Sequence, residues 1–169
     1  MKSFKSYLTE QYAGNYVCLE TEDLSSFFAD CGITEPTSGV VPPDFHCTVI
    51  YSEMSVIEPE RIANLLRTSG FNKPYVGKII GFDLFDSPED NTKCSLVAKL
   101  ECLELTQAHD YLKGCGLRHS YKEYTPHITL RYAMDIIEAA KYKELLSGCT
   151  GSSVAMAKFR SEKVNKDYV

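Results

Sequence analysis

The sequence lacks any apolar run close to the roughly 20 residues that a membrane-spanning helix needs. Its basic start is not followed by an apolar segment, so we expect no secretory signal peptide. The 7 cysteines are scattered singly and no Cys-x-x-Cys pair occurs, which argues against a zinc site and against a disulfide framework. These absences predict a protein of the reducing cytosol that binds no membrane.

Basic residues are also in short supply. The formal net charge is -5 at pH 7, whereas a protein that binds duplex nucleic acid presents a basic face. An acidic protein can still hold a phosphate compound in a small pocket with locally placed donors. The charge therefore favours a small or short anionic substrate, and we expect neither a duplex nor an obligate protein partner.

The pattern of apolar and turn-forming residues predicts an α+β fold. From a length of 169 residues we expect a single domain over residues 1–169, built from two lobes that share a core. The patterns predict the order strand, helix, strand, helix, hairpin, helix, strand, helix, strand. The hairpin surrounds the polar stretch from Asp86 to Asn91, and the mixture of helices with hairpins indicates antiparallel sheets.

Two short stretches repeat one pattern: His, any residue, Thr, an aliphatic residue, any residue, Tyr. They are Phe45-His46-Cys47-Thr48-Val49-Ile50-Tyr51 and Pro126-His127-Ile128-Thr129-Leu130-Arg131-Tyr132. Because successive side chains of a strand point to opposite faces, each histidine shares a face with the threonine two residues later. The same alternation predicts that Arg131 lies on the face of His127.

Each motif strand is followed by a helix, a glycine and a further strand at similar distances, which indicates an internal duplication. Two halves of this kind could bring both motif strands to one central groove. An imidazole and a hydroxyl presented twice suit a phosphoryl group that needs one proton removed and another supplied. The alternative is a pair of ordinary strand histidines that are satisfied by hydrogen bonds.

These features resemble the two-histidine (2H) phosphoesterase superfamily, whose members carry two His-x-Thr/Ser strands in a duplicated, LigT-like α+β fold. Within it, the chain is similar to the anti-CBASS nucleases of tailed phages in its size, its leader from Tyr12 to Tyr16, the position of its first motif and its polar-aromatic tail. The resemblance implies antiparallel sheets that line a central groove, with helices outside. It also implies a metal-independent enzyme without a cofactor that cleaves the cyclic di- and trinucleotide alarm signals of bacterial defence.

The motif residues can carry this chemistry. His46 and His127 would act as general base and general acid, in an order that the sequence leaves open, on a phosphodiester beside a ribose 2′-hydroxyl. Thr48 and Thr129 would hydrogen-bond the non-bridging phosphate oxygens. No carboxylate accompanies the histidines on their strands as a metal-ligand set. The expected product is an opened nucleotide with a 2′,3′-cyclic phosphate end.

Base recognition requires stacking platforms and contacts to base edges. Tyr12, Tyr124 and Tyr168 are candidates, because they lie at chain ends or beside a motif and outside the clear apolar patterns. Glu162 could accept hydrogen bonds from the edge of a guanine, since a carboxylate offers only acceptors. For each of these residues the alternative is a half-buried or surface position without a binding role.

Two other functions stay open at this point. An enzyme of RNA ends, either a 2′,3′-cyclic phosphodiesterase or a 2′–5′ ligase, would use the same motif. From another class, the chain could be a sponge that binds cyclic nucleotides without cleaving them. The intact pair of His46 and His127 disfavours the sponge, because binding alone needs no acid and base. His109 and His119 have no partners at motif spacing, and we expect both to be solvated or locally satisfied.

Overall fold

The computed structural model describes residues 12–53 and 57–165. The strands in these ranges are β1 (Tyr12–Thr21), β2 (His46–Ser52), β3 (Tyr75–Asp86), β4 (Lys93–Glu101), β5 (His127–Asp135) and β6 (Ser153–Asn165). The α-helices there are α1 (Phe27–Asp30), α2 (Pro59–Thr68), α3 (Leu103–Gly114) and α4 (Ile136–Leu145), and a 3-10 turn covers Leu146–Gly148. The predicted α+β class and the predicted order of elements are confirmed. No helix in the two described ranges is both long and apolar enough to cross a membrane.

All six strands belong to one antiparallel sheet that closes on itself. The strand order is β1-β2-β5-β4-β3-β6, and β6 pairs back onto β1. Each half of the chain contributes strand, helix, strand, helix, strand. The pairing pattern is unchanged when β1, β2 and β3 are exchanged with β4, β5 and β6, as expected of a duplicated unit. The two motif strands, β2 and β5, are neighbours at the centre of this arrangement.

The core lies on one face of the closed sheet. Its strand residues alternate along the chain and are buried: Val17, Leu19, Cys47, Val49, Ala98, Leu100 and Ile128. The helices cover this face with apolar residues at helical spacing, namely Ile62, Leu66, Leu105, Ala108, Leu112 and Ala139. The side chains between the buried strand residues therefore point to the opposite face, which the helices leave uncovered.

Two helix starts differ from simple capping patterns. At α1 the acidic residue Asp23 does not cap the helix, because α1 begins later, with Ser26 at the N-cap position. Asp23 instead accepts a hydrogen bond from the amide of Ser25 and so forms a local turn. At α4, Asp135 caps the helix by accepting hydrogen bonds from the amides of Ile137 and Glu138. The carboxylate of Glu138 does not close a capping box but accepts hydrogen bonds from Ser38, which ties the preceding loop to α4.

The leader segment fixes the chain that follows β2. Gly14 has a φ of 115°, and a Cβ at this position would lie 1.8 Å from the carbonyl oxygen of Ser52. Only glycine allows β1 to approach β2 so closely. The next residue, Asn15, is buried, and its amide both donates to and accepts from the backbone of Ile57 at 2.7 Å. The start of β1 thereby holds the segment between β2 and α2 in place through the two hydrogen bonds of Asn15 to Ile57.

Candidate active site

The two His-x-Thr motifs meet through one residue pair. Cys47 of β2 lies directly opposite Ile128 of β5, and both side chains are buried. Since neighbouring residues of a strand point to the other face, the histidine and threonine of each motif project from the face opposite the core. In this antiparallel register His46 comes next to Thr129, and Thr48 comes next to His127. The structure thus brings all four predicted catalytic residues onto one face of the sheet.

The flanking strands extend this face on both sides. Residues that lie directly opposite one another in adjacent strands share a face. The residues opposite the motif residues are Glu20 for His46, Cys18 for Thr48, Lys99 for His127 and Val97 for Thr129. On β6 the corresponding residues are Arg160 opposite Cys18 and Glu162 opposite Tyr16. We call the face formed by Tyr16, Cys18, Glu20, His46, Thr48, Val97, Lys99, His127, Thr129, Arg160 and Glu162 the groove face.

His46 is held by an acidic residue just before its strand. Its Nδ1 lies 3.4 Å from the carbonyl oxygen of Asp44 and 3.6 Å from the Asp44 carboxylate. That carboxylate accepts a hydrogen bond of 2.8 Å from Arg160 of β6. The ring of Tyr16 packs edge-on against His46, with centroids 5.9 Å apart. With Nδ1 engaged by Asp44, Nε2 is the nitrogen left for a ligand.

His127 has different surroundings. Its Nδ1 donates a hydrogen bond of 2.8 Å to the carbonyl oxygen of Thr125, so the proton of the neutral ring sits on Nδ1 and Nε2 can accept one. Phe85 of β3 packs against the ring edge-on at 4.7 Å. Burial lowers the pKa of His127; the hydrogen bond to Thr125 opposes this effect, and the charge of His46 adds to it. His127 is therefore biased toward the neutral form.

Tyr16 links the first threonine to this site. The hydroxyl of Thr48 donates to the hydroxyl of Tyr16 at 3.4 Å. Burial raises the pKa of Tyr16, so the phenol stays protonated. Tyr16 and Phe85 are site residues that were not predicted from the sequence. The sequence contained a signal for Tyr16. It lies two residues from Cys18 on β1, so the two side chains share a face, and Cys18 lies opposite Thr48 of the first motif.

The charges on the groove face are mostly paired. Arg160 contacts the carboxylates of Asp44 at 2.8 Å, Glu162 at 3.1 Å and Glu20 at 3.6 Å. Glu162, predicted to contact a guanine edge, lies on the groove face with its side chain 54% exposed. The flank of His46 is therefore acidic around a single guanidinium.

The prediction that Arg131 shares the face of His127 is wrong. A bulge puts Thr129 opposite Val97 but Arg131 opposite Leu96, so β5 advances by two residues where β4 advances by one. This irregularity reverses the alternation after Thr129 and turns Arg131 toward the core. Its guanidinium pairs with Glu35 and lies over the ring of Phe28 at 5.1 Å. Arg131 thus holds a loop to the core.

Tyr124 lies where β5 separates from β2. Its hydroxyl donates a hydrogen bond of 2.9 Å to the carbonyl oxygen of Thr48, and its ring stacks on His109 at 3.9 Å. His109 in turn donates from Nδ1 to the carbonyl oxygen of Val49 at 2.6 Å, and His119 accepts from the amide of Tyr51 at 3.4 Å. The three side chains thus form hydrogen bonds with backbone groups of β2 that would otherwise pair with an adjoining strand.

His109 and His119 were expected to be either solvated or locally satisfied. The structure shows that both are locally satisfied by hydrogen bonds. For Tyr12 the structure describes the backbone, which pairs with Asn165 at the edge of the sheet. Tyr168 lies outside the described residues.

Two cavities flank β2. One, of about 380 Å³, adjoins His46 and is lined by the carboxylates of Glu20, Glu22, Asp23 and Asp44 together with Pro42; its acceptors suit N–H donors better than phosphate. The other, of about 390 Å³, lies between α3 and the loop before β5. Nowhere in residues 12–53 and 57–165 do three or more His, Cys, Asp or Glu side chains cluster as a metal-ligand set.

Comparison with known proteins gives both a family and a fold. The family model described as Anti-CBASS protein Acb1 matches residues 12–168. The anti-CBASS protein Acb1 of Vibrio phage KVP40 is 31% identical over 91 residues, which cover 54% of this chain and 52% of that protein. The chain therefore aligns with about half the length of this curated relative.

Among solved structures, Usb1 of Kluyveromyces marxianus superposes with a TM-score of 0.53 at 8% identity, covering 88% of this chain and 92% of Usb1. The same protein with uridine monophosphate gives a TM-score of 0.51 at 9% identity, covering 88% and 93%. At this level of identity the likeness concerns the fold.

Proposed function

The chain belongs to the anti-CBASS protein Acb1 family, and on that basis we propose that it is a phosphodiesterase that opens cyclic di- and trinucleotides. Acting in the host cytosol as one domain over residues 1–169, it would remove a nucleotide alarm signal. The observation that best supports this proposal is the register of β2 and β5. Through the Cys47–Ile128 pair, two imidazoles and two hydroxyls share one face, an arrangement suited to a single phosphorus centre.

In the proposed reaction His127 is the general base. Its Nδ1 proton is engaged by the carbonyl of Thr125, and its lowered pKa keeps the ring neutral. Nε2 takes the proton of the ribose 2′-hydroxyl, and the 2′-oxygen attacks the adjacent phosphorus. The new 2′-O–P bond closes a five-membered ring that includes the 3′-oxygen.

His46 is then the general acid. As the P–O5′ bond breaks, Nε2 of the protonated ring gives its proton to the departing 5′-oxygen. The protons balance, since His127 gains one and His46 loses one, and the product ends in a 2′,3′-cyclic phosphate and a 5′-hydroxyl. Arg160 donates a hydrogen bond to Asp44, whose carboxylate lies 3.6 Å from Nδ1 of His46. These contacts would hold the ring in line with the leaving group.

Thr48 and Thr129 would donate hydrogen bonds to the non-bridging oxygens as negative charge grows on them. Every step uses side chains of this chain alone, and we propose a reaction that is independent of metal ions and of a cofactor. The contact between Thr48 and Tyr16 places the hydroxyl on the groove face. To donate to the phosphate, Thr48 would turn its single proton away from Tyr16, whose own hydroxyl can then donate to Thr48.

For base recognition we propose Tyr12, Tyr124, Glu162 and Tyr168, as the sequence indicates. Glu162 has the strongest structural support, since it stands on the groove face and is half-exposed. Phe85 is a further candidate for stacking, because its ring lies beside His127 and is 37% exposed.

The decisive experiment is incubation of the protein with 3′,3′-cyclic GMP–AMP in the presence of EDTA, followed by analysis of the products. The proposal expects linear dinucleotide with a 2′,3′-cyclic phosphate end. Unchanged ligand recovered from a tight complex would instead identify a sponge. Activity confined to linear RNA with 2′,3′-cyclic phosphate ends would identify an RNA-end enzyme. A reaction that stops in EDTA would overturn the metal-independent mechanism.

A further inference from the structure

Lys99 stands on the groove face beside the reacting groups, and the mechanism above gives it no role. It lies on β4 directly opposite His127 of β5, so the Cβ atoms of the two residues are about 4.5–5.5 Å apart and point the same way. Its neighbours Ala98 and Leu100 are buried in the core, which fixes Lys99 on the opposite face. The register therefore puts the backbone of Lys99, and the base of its side chain, next to the proposed base.

The other cations near this face are already neutralised. Arg160 contacts the carboxylates of Asp44 and Glu162 at 2.8 Å and 3.1 Å, and Arg131 is buried and paired with Glu35. Within residues 12–53 and 57–165, Lys99 is thus the cation of the groove face that is left for an anionic ligand.

Lys99 itself has no carboxylate within 4.0 Å in the part of the chain that the structure describes. The carboxylate of Asp83 on β3 is close enough for the charge of Lys99 to contribute to its lowered pKa. However, Asp83 is already paired with Lys143 at 3.2 Å. The charge of Lys99 is therefore not neutralised by an ion pair with any other described residue.

The side chain of Lys99 extends away from His46. Gly81 of β3 lies opposite Lys99, and a Cβ at Gly81 would lie 3.5 Å from Cε of the lysine. Because β5 and β4 follow β2 in the sheet, this charge lies beyond His127, on the far side from His46. The ammonium group of Lys99 is therefore directed away from a phosphate bound between the two histidines and toward an anion on the far side of His127.

We propose that Lys99 binds the second, non-scissile phosphate of a cyclic dinucleotide whose first phosphate lies between His46 and His127; this inference rests on the proposed function. A cyclic dinucleotide carries two phosphates in one ring, so the second must lie to one side of the histidine pair. The flank of His46 carries three carboxylates, those of Asp44, Glu20 and Glu162, against two cations, Arg160 and Lys158, so its excess charge is negative and repels an anion. The flank of His127 presents Lys99. The charge difference between the two flanks orients the ring.

The test compares substrates with one and two phosphates. With 3′,3′-cyclic GMP–AMP, Lys99→Met should raise KM about tenfold and leave kcat within about threefold, since one charge-assisted contact present equally in ground and transition state is lost. With guanylyl-(3′→5′)-adenosine, which has a single phosphate, the same variant should match the wild type. Lys99→Arg should retain most of the affinity, and Lys78→Met, an exposed lysine on β3, is the matched control.

Two results would overturn the inference: equal KM values for Lys99→Met and wild type on the cyclic substrate, or a fall in kcat at unchanged KM, which would make Lys99 a contact of the reacting phosphate. Failure of this inference can be distinguished from failure of the proposed function by measuring the affinity for cyclic GMP–AMP. Calorimetry with His46→Ala, alone and combined with Lys99→Met, gives this affinity without turnover. If the wild type cleaves nothing, while Lys99→Met lowers the affinity for cyclic GMP–AMP about tenfold, the phosphate contact stands and the proposed enzyme is refuted. Absence of any binding would refute both.

Discussion

Cys47 lies opposite Ile128 in the contact that joins the two motif strands. Both side chains are fully buried, so packing of the core, rather than any polar contact on the groove face, sets the relative height of the strands. Each histidine is one residue away from this contact. The buried core contact therefore sets the proposed catalytic geometry. Substitutions on the groove face can test the chemistry without disturbing the pairing of the strands.

Replacing either histidine should remove most of the turnover. We expect His46→Ala and His127→Ala each to lower kcat by about 10²–10⁴, the range associated with loss of a general acid or base, while the affinity for cyclic GMP–AMP and the circular dichroism spectrum stay unchanged. Product formation by chromatography and binding by calorimetry provide the measurements. Near-normal rates in both variants would refute the mechanism.

The threonines should be replaceable at a smaller cost. Thr48→Val and Thr129→Val each remove one preorganised donor, which corresponds to a loss of up to roughly 10²–10³ in kcat. Valine keeps the branched shape, so the strands should be undisturbed. Single-turnover rates measure the effect, and the comparison with Thr→Ser variants serves as a control. A valine variant that alters only KM would assign the hydroxyl to ground-state binding.

The pH profile should report the environment of His127. Because burial lowers the pKa of His127, the base stays deprotonated to a lower pH than an ordinary histidine, whose pKa is near ~6.5. We expect kcat/KM to fall on the acid side with a midpoint below about 6.5. An acid limb centred above neutrality would contradict the assignment of His127 as base.

Tyr124 can be tested for two roles separately. Tyr124→Phe removes the hydrogen bond to the Thr48 carbonyl and keeps the ring that stacks on His109. We expect a loss of about 1 kcal/mol in the free energy of unfolding and an unchanged KM. Tyr124→Leu should in addition raise KM if the ring is a base platform. Urea unfolding and steady-state kinetics give the two readouts, and a fully stable Phe variant would show that the hydrogen bond contributes nothing.

The stability of the fold should fall in mild acid because of His119. Burial lowers the pKa of His119 to about 4, and the charge of His109 acts in the same direction. Between about 6.5, the value of an unfolded histidine, and 4 the unfolded chain binds more protons than the folded chain. The free energy of unfolding therefore decreases as the pH falls through this window and is unaffected above it.

Partial exposure of His119 limits the effect to on the order of 1 kcal/mol. His119→Asn retains an acceptor for the amide of Tyr51 but does not titrate. Urea unfolding at pH 7 and pH 4.5 should show a smaller loss for this variant than for the wild type. An equal loss in both proteins would assign the acid sensitivity to other groups.

Much of the fold could be predicted because its signals are local. The alternation of residues around His46 and His127 follows from strand geometry, and helix spacing with glycine stops located the helices. The bulge that turns Arg131 to the core has no signature in a single sequence. The contact between Asp44 and Arg160 was equally hidden, because it joins residues 116 positions apart and depends on the closure of β6 onto β1.

The exchange symmetry of the strand pairings has a consequence for how a ligand enters. A cyclic dinucleotide has its own approximate dyad, so turning it over presents nearly the same outline to a cavity whose walls are themselves related by a dyad. Shape alone then cannot choose which linkage is cut. The linkage that is cut is then determined by the few side chains that differ between equivalent positions of the two halves. Exchanging these side chains should redirect cleavage from one linkage of a mixed-base ring to the other.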